Sequence, residues 1–207
     1  MGGRFITLEG GEGVGKSTQA KRLAEALRKR GLDVLATREP GGSPGAEAIR
    51  KLLLEGPEDR WTPQAEALLF AAARADHVAR TIRPALAAGQ WVLCDRFIDS
   101  SLAYQGAASG LGVDAIRALH LVASDDFLPD RTLLLDLPGE IAAERQNARD
   151  GAHKDRFGER DATYHESVAD AFRSLAVNEP RRYRVVDAGG SPEAVTDRLI
   201  AALDDLL

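Results

Sequence analysis

Sulfur is nearly absent from this chain of 207 residues, which has one cysteine and one methionine. A lone thiol forms no internal disulfide and no cysteine zinc cluster. Cys94 ends the apolar run Trp91-Val-Leu-Cys94, a setting that predicts a buried, inert side chain. Long hydrophobic runs are missing too, so no segment is suited to cross a membrane. The N-terminus lacks a signal-peptide layout. Met1-Gly2 opens like a myristoylation site, but Ile6 stands where Ser or Thr is needed. The expected location is the cytoplasm, with no membrane partner. Positive charge is not in excess: 27 Lys and Arg face 32 Asp and Glu, a net charge of −5. That argues against nucleic acid as an obligatory partner. The Asn-Lys-x-Asp segment of guanine-reading switch proteins is absent. Asp187-Ala-Gly-Gly190 fits the loose D-x-x-G pattern of such proteins but lies far along the chain from the switch position.

What remains is ordinary for a globular protein, with 44% hydrophobic and 29% charged residues. The length suits one α/β domain. Its most informative stretch is Gly10-Gly-Glu-Gly-Val-Gly-Lys-Ser17, which has the spacing G-x-x-x-x-G-K-[ST]. An apolar strand-like segment precedes it and a helical pattern follows, the context this motif requires. Gly10, Gly11, Gly13 and Gly15 let backbone N–H groups turn inward around phosphate oxygens, with Glu12 and Val14 between them. The helix start at Lys16, Ser17 and Thr18 adds its positive dipole end. Lys16 is expected at the β- and γ-phosphates and the Ser17 hydroxyl on Mg²⁺. The expected ligands are therefore a nucleoside triphosphate and Mg²⁺.

Strand-like runs at 5–9, 33–38, 91–95, 131–136 and 184–187 alternate with helical patterns. The helices are expected at 16–30, 45–54, 63–88, 114–124, 139–149, 162–178 and 192–207. This alternation predicts a five-stranded parallel sheet covered on both faces, in three layers. Ligands of such sheets bind at the carboxyl ends of the strands. The rigid loop Glu39-Pro-Gly-Gly-Ser-Pro-Gly45 falls at one such end. The charged segment 150–161 has the character of a lid.

Asp95 ends an apolar strand, where P-loop proteins hold Mg²⁺, often through water; the plain alternative is a strand-end cap. Asp136 has the same look. Arg96, directly after Asp95, separates the two, because a cation there suits phosphates that must be drawn together. Phe70 and Arg74 are four apart in a helical run and share a face. Either one departs from its usual place, core or solvent, or the face lines a cleft. A ring and a planar donor fork would suit a nucleobase. Arg145, Arg149, Arg156 and Arg160 lie in or near the lid segment, either as solvated partners of nearby acids or as cations that close on a transferred phosphoryl group.

These motifs, in their order, resemble the bacterial thymidylate kinase family nearly end to end. The segments that carry the resemblance are the phosphate loop with its acidic Glu12, Thr37-Arg-Glu-Pro-Gly-Gly42, Phe70-Ala-Ala-Ala-Arg74, and Asp95-Arg-Phe-Ile-Asp-Ser-Ser-Leu-Ala-Tyr-Gln-Gly106. The resemblance implies transfer of the γ-phosphoryl group of ATP to dTMP, giving dTDP and ADP in the synthesis of dTTP. It implies one P-loop kinase domain over 1–207, an acceptor region at about 39–106 and a lid at about 144–161.

The roles carried over by resemblance are these. Phe70 would stack on thymine and Arg74 would bond its carbonyl edge, with Ser101 and Gln105 also at the base. Tyr104 would pack where a ribose 2′-OH would sit. Arg50 and Arg96 would hold the acceptor phosphate. Glu12 would lie near the sugar 3′-OH, and Glu39 near the phosphate and magnesium waters. Arg145 would flank adenine. The phosphate loop has no arginine, which in this family goes with a catalytic arginine in the lid, here Arg149 or Arg156. One departure is Asp155-Arg-Phe-Gly158, where many relatives end the motif in an acid; Glu159 follows one residue later. The family is typically homodimeric through helices, and the alanine-rich run 65–88 offers such a face. The rival readings are a kinase for another nucleoside monophosphate, a GTP-driven switch, and an ATP-binding module without turnover.

Overall fold

The computed structural model describes residues 2–150, 156–158 and 160–207, with the side chains of Glu58, Arg149 and Asp150 outside the description. Five strands form one sheet: β1 (Phe5–Glu9), β2 (Val34–Arg38), β3 (Trp91–Asp95), β4 (Arg131–Asp136) and β5 (Tyr183–Asp187). Their order is β2-β3-β1-β4-β5 and every pairing is parallel. Strand side chains alternate between faces, so each strand feeds two cores. Ile6, Leu8, Leu93, Leu133 and Leu135 enter one, and Phe5, Val92, Cys94 and Leu134 enter the other.

The first core is covered by α1 (Lys16–Lys29) and α9 (Pro192–Ala201), through Leu23, Leu27, Val195 and Leu199. The second is covered by α3 (Pro63–His77), α6 (Val113–Ser124) and α8 (Ala162–Asn178). Three layers result, as the alternation predicts. The remaining helices are α2 (Pro44–Leu54), α4 (Arg83–Ala87), α5 (Ile98–Ser101) and α7 (Gly139–Asp150). Ser43, Thr62 and Ser191 cap α2, α3 and α9, each followed by a proline in the first turn. There the proline gives up no hydrogen bond.

The expected helix 63–88 is helical throughout but not uniform. Between α3 and α4 the chain takes a π-helical course over Val78–Ile82. Pro84 has no N–H and its ring crowds the carbonyl four residues back, so a wider turn precedes it. A second π-helical segment, Leu102–Ala108, continues α5. Neither it nor α5 is among the helices expected from the sequence. The expected helix 192–207 stops at Ala201, and the tighter turn Leu203 N–H to Ile200 O brings Leu203 into the core. No described helix is long and apolar enough to cross a membrane.

Candidate active site

The loop from Gly10 to Gly15 leaves β1 between its neighbours β3 and β4, at the carboxyl edge of the sheet. Gly13 has φ 75°, and a side chain there would run into the Ala142 carbonyl. Gly15 caps α1 in the left-handed region, and no acid lies in the first turn of α1. The helix thus presents its positive end to the loop. Lys16 Nζ folds back to donate to Gly11 O at 2.5 Å. Burial lowers the Lys16 pKa to about 8, with the Arg96 charge adding to the shift and Glu12, Asp95 and Glu9 opposing it. Val14 is buried in the first core, while Thr18 is exposed on α1.

Ser17 Oγ donates to Asp95 Oδ2 at 2.7 Å. These are the two residues expected to serve Mg²⁺, and the hydroxyl and carboxylate form a hard oxygen pair beside the phosphate loop. Among the described residues no three His, Cys, Asp or Glu side chains form a cage. The pair suits an ion that takes most of its ligands from phosphate and water.

Arg96 is the junction of the site. Its φ is 70°, a left-handed conformation rare outside glycine. Backbone bonds fix this turn: Arg96 N–H donates to Leu8 O at 3.0 Å and Phe97 N–H to Glu9 Oε1 at 2.7 Å. The guanidinium donates to Glu12 Oε1 at 2.5 Å, to Gly10 O and Ser100 Oγ at 3.0 Å, and to Tyr104 Oη at 3.1 Å. Tyr104 Oη in turn donates to Glu12 Oε1 at 2.9 Å. Burial opposes the Arg96 charge, but Tyr104, Glu12, Asp95 and Glu9 raise its pKa, so the charge is kept.

On the other side of the cavity stand Phe70 and Arg74 of α3. Arg74 Nε donates to Glu39 Oε2 at 2.8 Å, and Nη2 to Ser101 Oγ at 2.9 Å and Phe97 O at 3.2 Å. The second oxygen of Glu39 meets His77 Nδ1 at 3.0 Å. Arg74 is thus a core residue by burial, 3% exposed, yet lines the cavity. Gln105 Nε2 donates to Glu66 Oε1 at 3.0 Å. Arg50 Nη1 donates to Pro40 O at 2.6 Å, at the mouth of the 39–45 loop.

One cavity of about 260 Å³ joins these groups. Its lining takes Glu12, Gly13, Gly15, Lys16 and Ser17 from the phosphate loop and α1, Asp95 and Arg96 from the end of β3, and Glu39, Arg50, Phe70, Arg74, Ser101, Tyr104 and Gln105 from the acceptor region. Gly10 and Gly11 are not part of that lining; their carbonyls accept from Arg96 and Lys16. Arg145 stands outside this cavity, exposed on α7, with Nη1 donating to Ala188 O at 3.1 Å. Arg156 is buried against the acceptor side, donating to Leu53 O at 2.8 Å, Pro57 O at 2.9 Å and Glu66 Oε2 at 3.5 Å. The Arg149 side chain, and most of the charged part of the expected lid, lie outside the described residues.

The sequence reading missed Phe157, Glu66, His77 and Glu9. Phe157 lines the cavity and meets Phe70 edge-on at 5.8 Å between ring centroids. Glu66 precedes Phe70 by four residues and Arg74 by eight, so helical spacing alone placed it on their face.

A parallel sheet in this order, with the phosphate loop after its first strand and a second ligand wall beside it, defines a P-loop nucleotide kinase. Comparison with known proteins narrows the class. The family model for thymidylate kinase matches residues 8–199. A curated thymidylate kinase from Rhizorhabdus wittichii is 69% identical over 207 residues, covering all of both chains. One from Bradyrhizobium sp. is 52% identical over 196 residues, 94% of this chain and 87% of that one. A solved thymidylate kinase from Ehrlichia chaffeensis superposes with TM-score 0.80 at 31% identity, covering 99% and 100% of the two chains. The chain belongs to the thymidylate kinase family, and its activity is ATP-dependent phosphorylation of dTMP to dTDP.

Proposed function

We propose the following division of the cavity between the two substrates. dTMP enters the acceptor region, 39–106, with its base between Phe70, Arg74, Ser101 and Gln105 and its sugar against Tyr104. Its 5′-phosphate meets Arg96 and Arg50, with Glu39 behind Arg74 and Glu12 near the 3′-OH. ATP lays its phosphates along Gly10–Thr18, with Lys16 at the β- and γ-phosphates and adenine towards Arg145. The observation that carries this reading is the single cavity lined both by Lys16 and Ser17 and by Phe70 and Arg74.

The reaction needs alignment and charge neutralisation. An oxygen of the dTMP phosphate attacks the γ-phosphorus, the bond to the β-phosphate oxygen breaks, and ADP leaves with the electron pair. Arg96 neutralises the attacking phosphate. Lys16 and the amides of the phosphate loop neutralise the chain that is left. Ser17 and Asp95 would hold Mg²⁺, which when bound spreads the charge of the β- and γ-phosphates. The lid, 144–161, excludes water and brings Arg149 or Arg156 to the transferred group.

The protein acts in the cytoplasm as a homodimer. Helices α3 and α6 pack together and expose Leu68, Leu121 and Val122, an apolar surface fit for a second copy. A panel of acceptors with labelled ATP tests the assignment. We expect dTMP to give the highest kcat/KM, with dUMP weaker by one methyl group and dCMP, AMP and GMP far below. A higher value for a purine nucleotide would overturn it.

A further inference from the structure

Glu66 stands out among the buried charged groups that the reaction leaves unused. It lies in the first turn of α3, 3% exposed, while Gln105 on the π-helical segment is 1% exposed. The two come from separate elements and meet at 3.0 Å, with Gln105 Nε2 donating to Glu66 Oε1. Arg156 approaches the other oxygen at 3.5 Å.

A carboxylate only accepts hydrogen bonds, whereas a primary amide has a donor end and an acceptor end. Glu66 therefore decides which end of Gln105 faces it. The NH₂ is drawn to the carboxylate, and the carbonyl oxygen is left for the cavity that Gln105 lines. Among the described residues that oxygen has no hydrogen-bond partner. We propose that Glu66 is a positioning residue that locks Gln105 with its oxygen towards the acceptor base and so sets which pyrimidine is accepted. This inference rests on the acceptor reading above. Thymine and uracil carry N–H at ring position 3 and satisfy that oxygen. Cytosine carries a lone pair there and meets it with repulsion. The segment 102–108 packs against α3, which brings Gln105 within reach of Glu66.

The test uses Glu66→Gln, whose amide can no longer enforce one orientation on its neighbour. Wild-type turnover of dTMP is measured first; its absence would defeat the acceptor reading and not this one. In Glu66→Gln we expect KM for dTMP to rise about tenfold, the scale of one buried hydrogen bond to a charged group. KM for ATP stays unchanged, and the kcat/KM preference for dTMP over dCMP falls about tenfold. In a Gln105→Ala background the same substitution should change KM for dTMP by less than about twofold, because the group it orients is gone. Equal effects in both backgrounds, or an unchanged preference, would overturn the proposal. Should the variant fail to fold, exchange of the Gln105 side-chain amide protons in the unliganded wild-type protein decides. Slow exchange is expected, and exchange as fast as that of exposed glutamines would overturn the assignment.

Discussion

Arg96 donates to the Glu12 carboxylate at 2.5 Å, tying the end of β3 to the phosphate loop at the point where acceptor and donor must meet. Neither side chain is fully covered, at 17% and 20% exposure. The pair is therefore placed for an anion to reach the guanidinium without breaking the fold. Left-handed geometry at Arg96 is what aims it, and the buried Glu9 holds that geometry through Phe97 N–H.

Replacing Arg96 with alanine should lower kcat by about 10³-fold, because the attacking phosphate loses the cation that neutralises it. The fold should survive because Arg96 belongs to neither core, but melting temperature should fall, since Glu12, Gly10 O, Ser100 and Tyr104 lose their shared donor. Steady-state kinetics check this. Activity within about threefold of wild type would remove Arg96 from the mechanism.

Phe70 is half-buried and touches Phe157, so it has both a packing role and a face for a base. Phe70→Ala should raise KM for dTMP about tenfold, within the range for loss of one stacked base, and leave KM for ATP within about twofold. Isothermal titration with each nucleotide checks the split. Equal losses for both would make Phe70 a core residue only.

Burial brings the Lys16 pKa down to about 8, and it is the protonated form that binds phosphate. In the free enzyme kcat/KM for ATP should therefore hold below pH 8 and fall towards tenfold per unit above it. A bound triphosphate restores the charge, so kcat at saturating ATP should hold to higher pH. A pH–rate profile for each parameter tests this, and identical profiles would contradict it.

Glu9 is buried at the end of β1, and its pKa is raised to about 8 by that burial and by the Asp99 charge. Its folded value lies above its usual 4.5. Its contribution to stability is thus whole below about pH 4.5 and is lost as pH rises through 8. Glu9→Gln, which cannot ionise, should gain on wild type steadily from pH 5 to pH 8. Thermal melts across that range measure the difference. A constant difference would mean Glu9 is ionised throughout.

The phosphate loop was legible in the sequence because its chemistry is local: glycines, lysine and serine act within eight consecutive residues. The sheet was legible for a similar reason, since each strand is a short apolar run between helical patterns. Asp95 and Arg96 could be singled out as neighbours at a strand end, but the left-handed turn that aims Arg96 depends on Glu9, 87 positions back. Glu39 was named near phosphate and metal waters by resemblance alone, and nothing local in the sequence signals that its two oxygens are held by Arg74 and His77, side chains far away along the chain. The π-helical segment 102–108 was not read as helix, and 78–82 was read as part of an ordinary helix, because a single wide turn shifts the apolar repeat without marking itself. Gln105 was named for the base by resemblance, but the carboxylate that orients it lies on another helix.

The central claim is that one pocket receives two anionic nucleotides end to end. An inhibitor in which a polyphosphate chain joins adenosine to thymidine tests this most directly. The account predicts steady-state inhibition competitive against both ATP and dTMP, with affinity above that of either nucleotide. Competition with one substrate alone would place the other elsewhere on the protein and contradict the account.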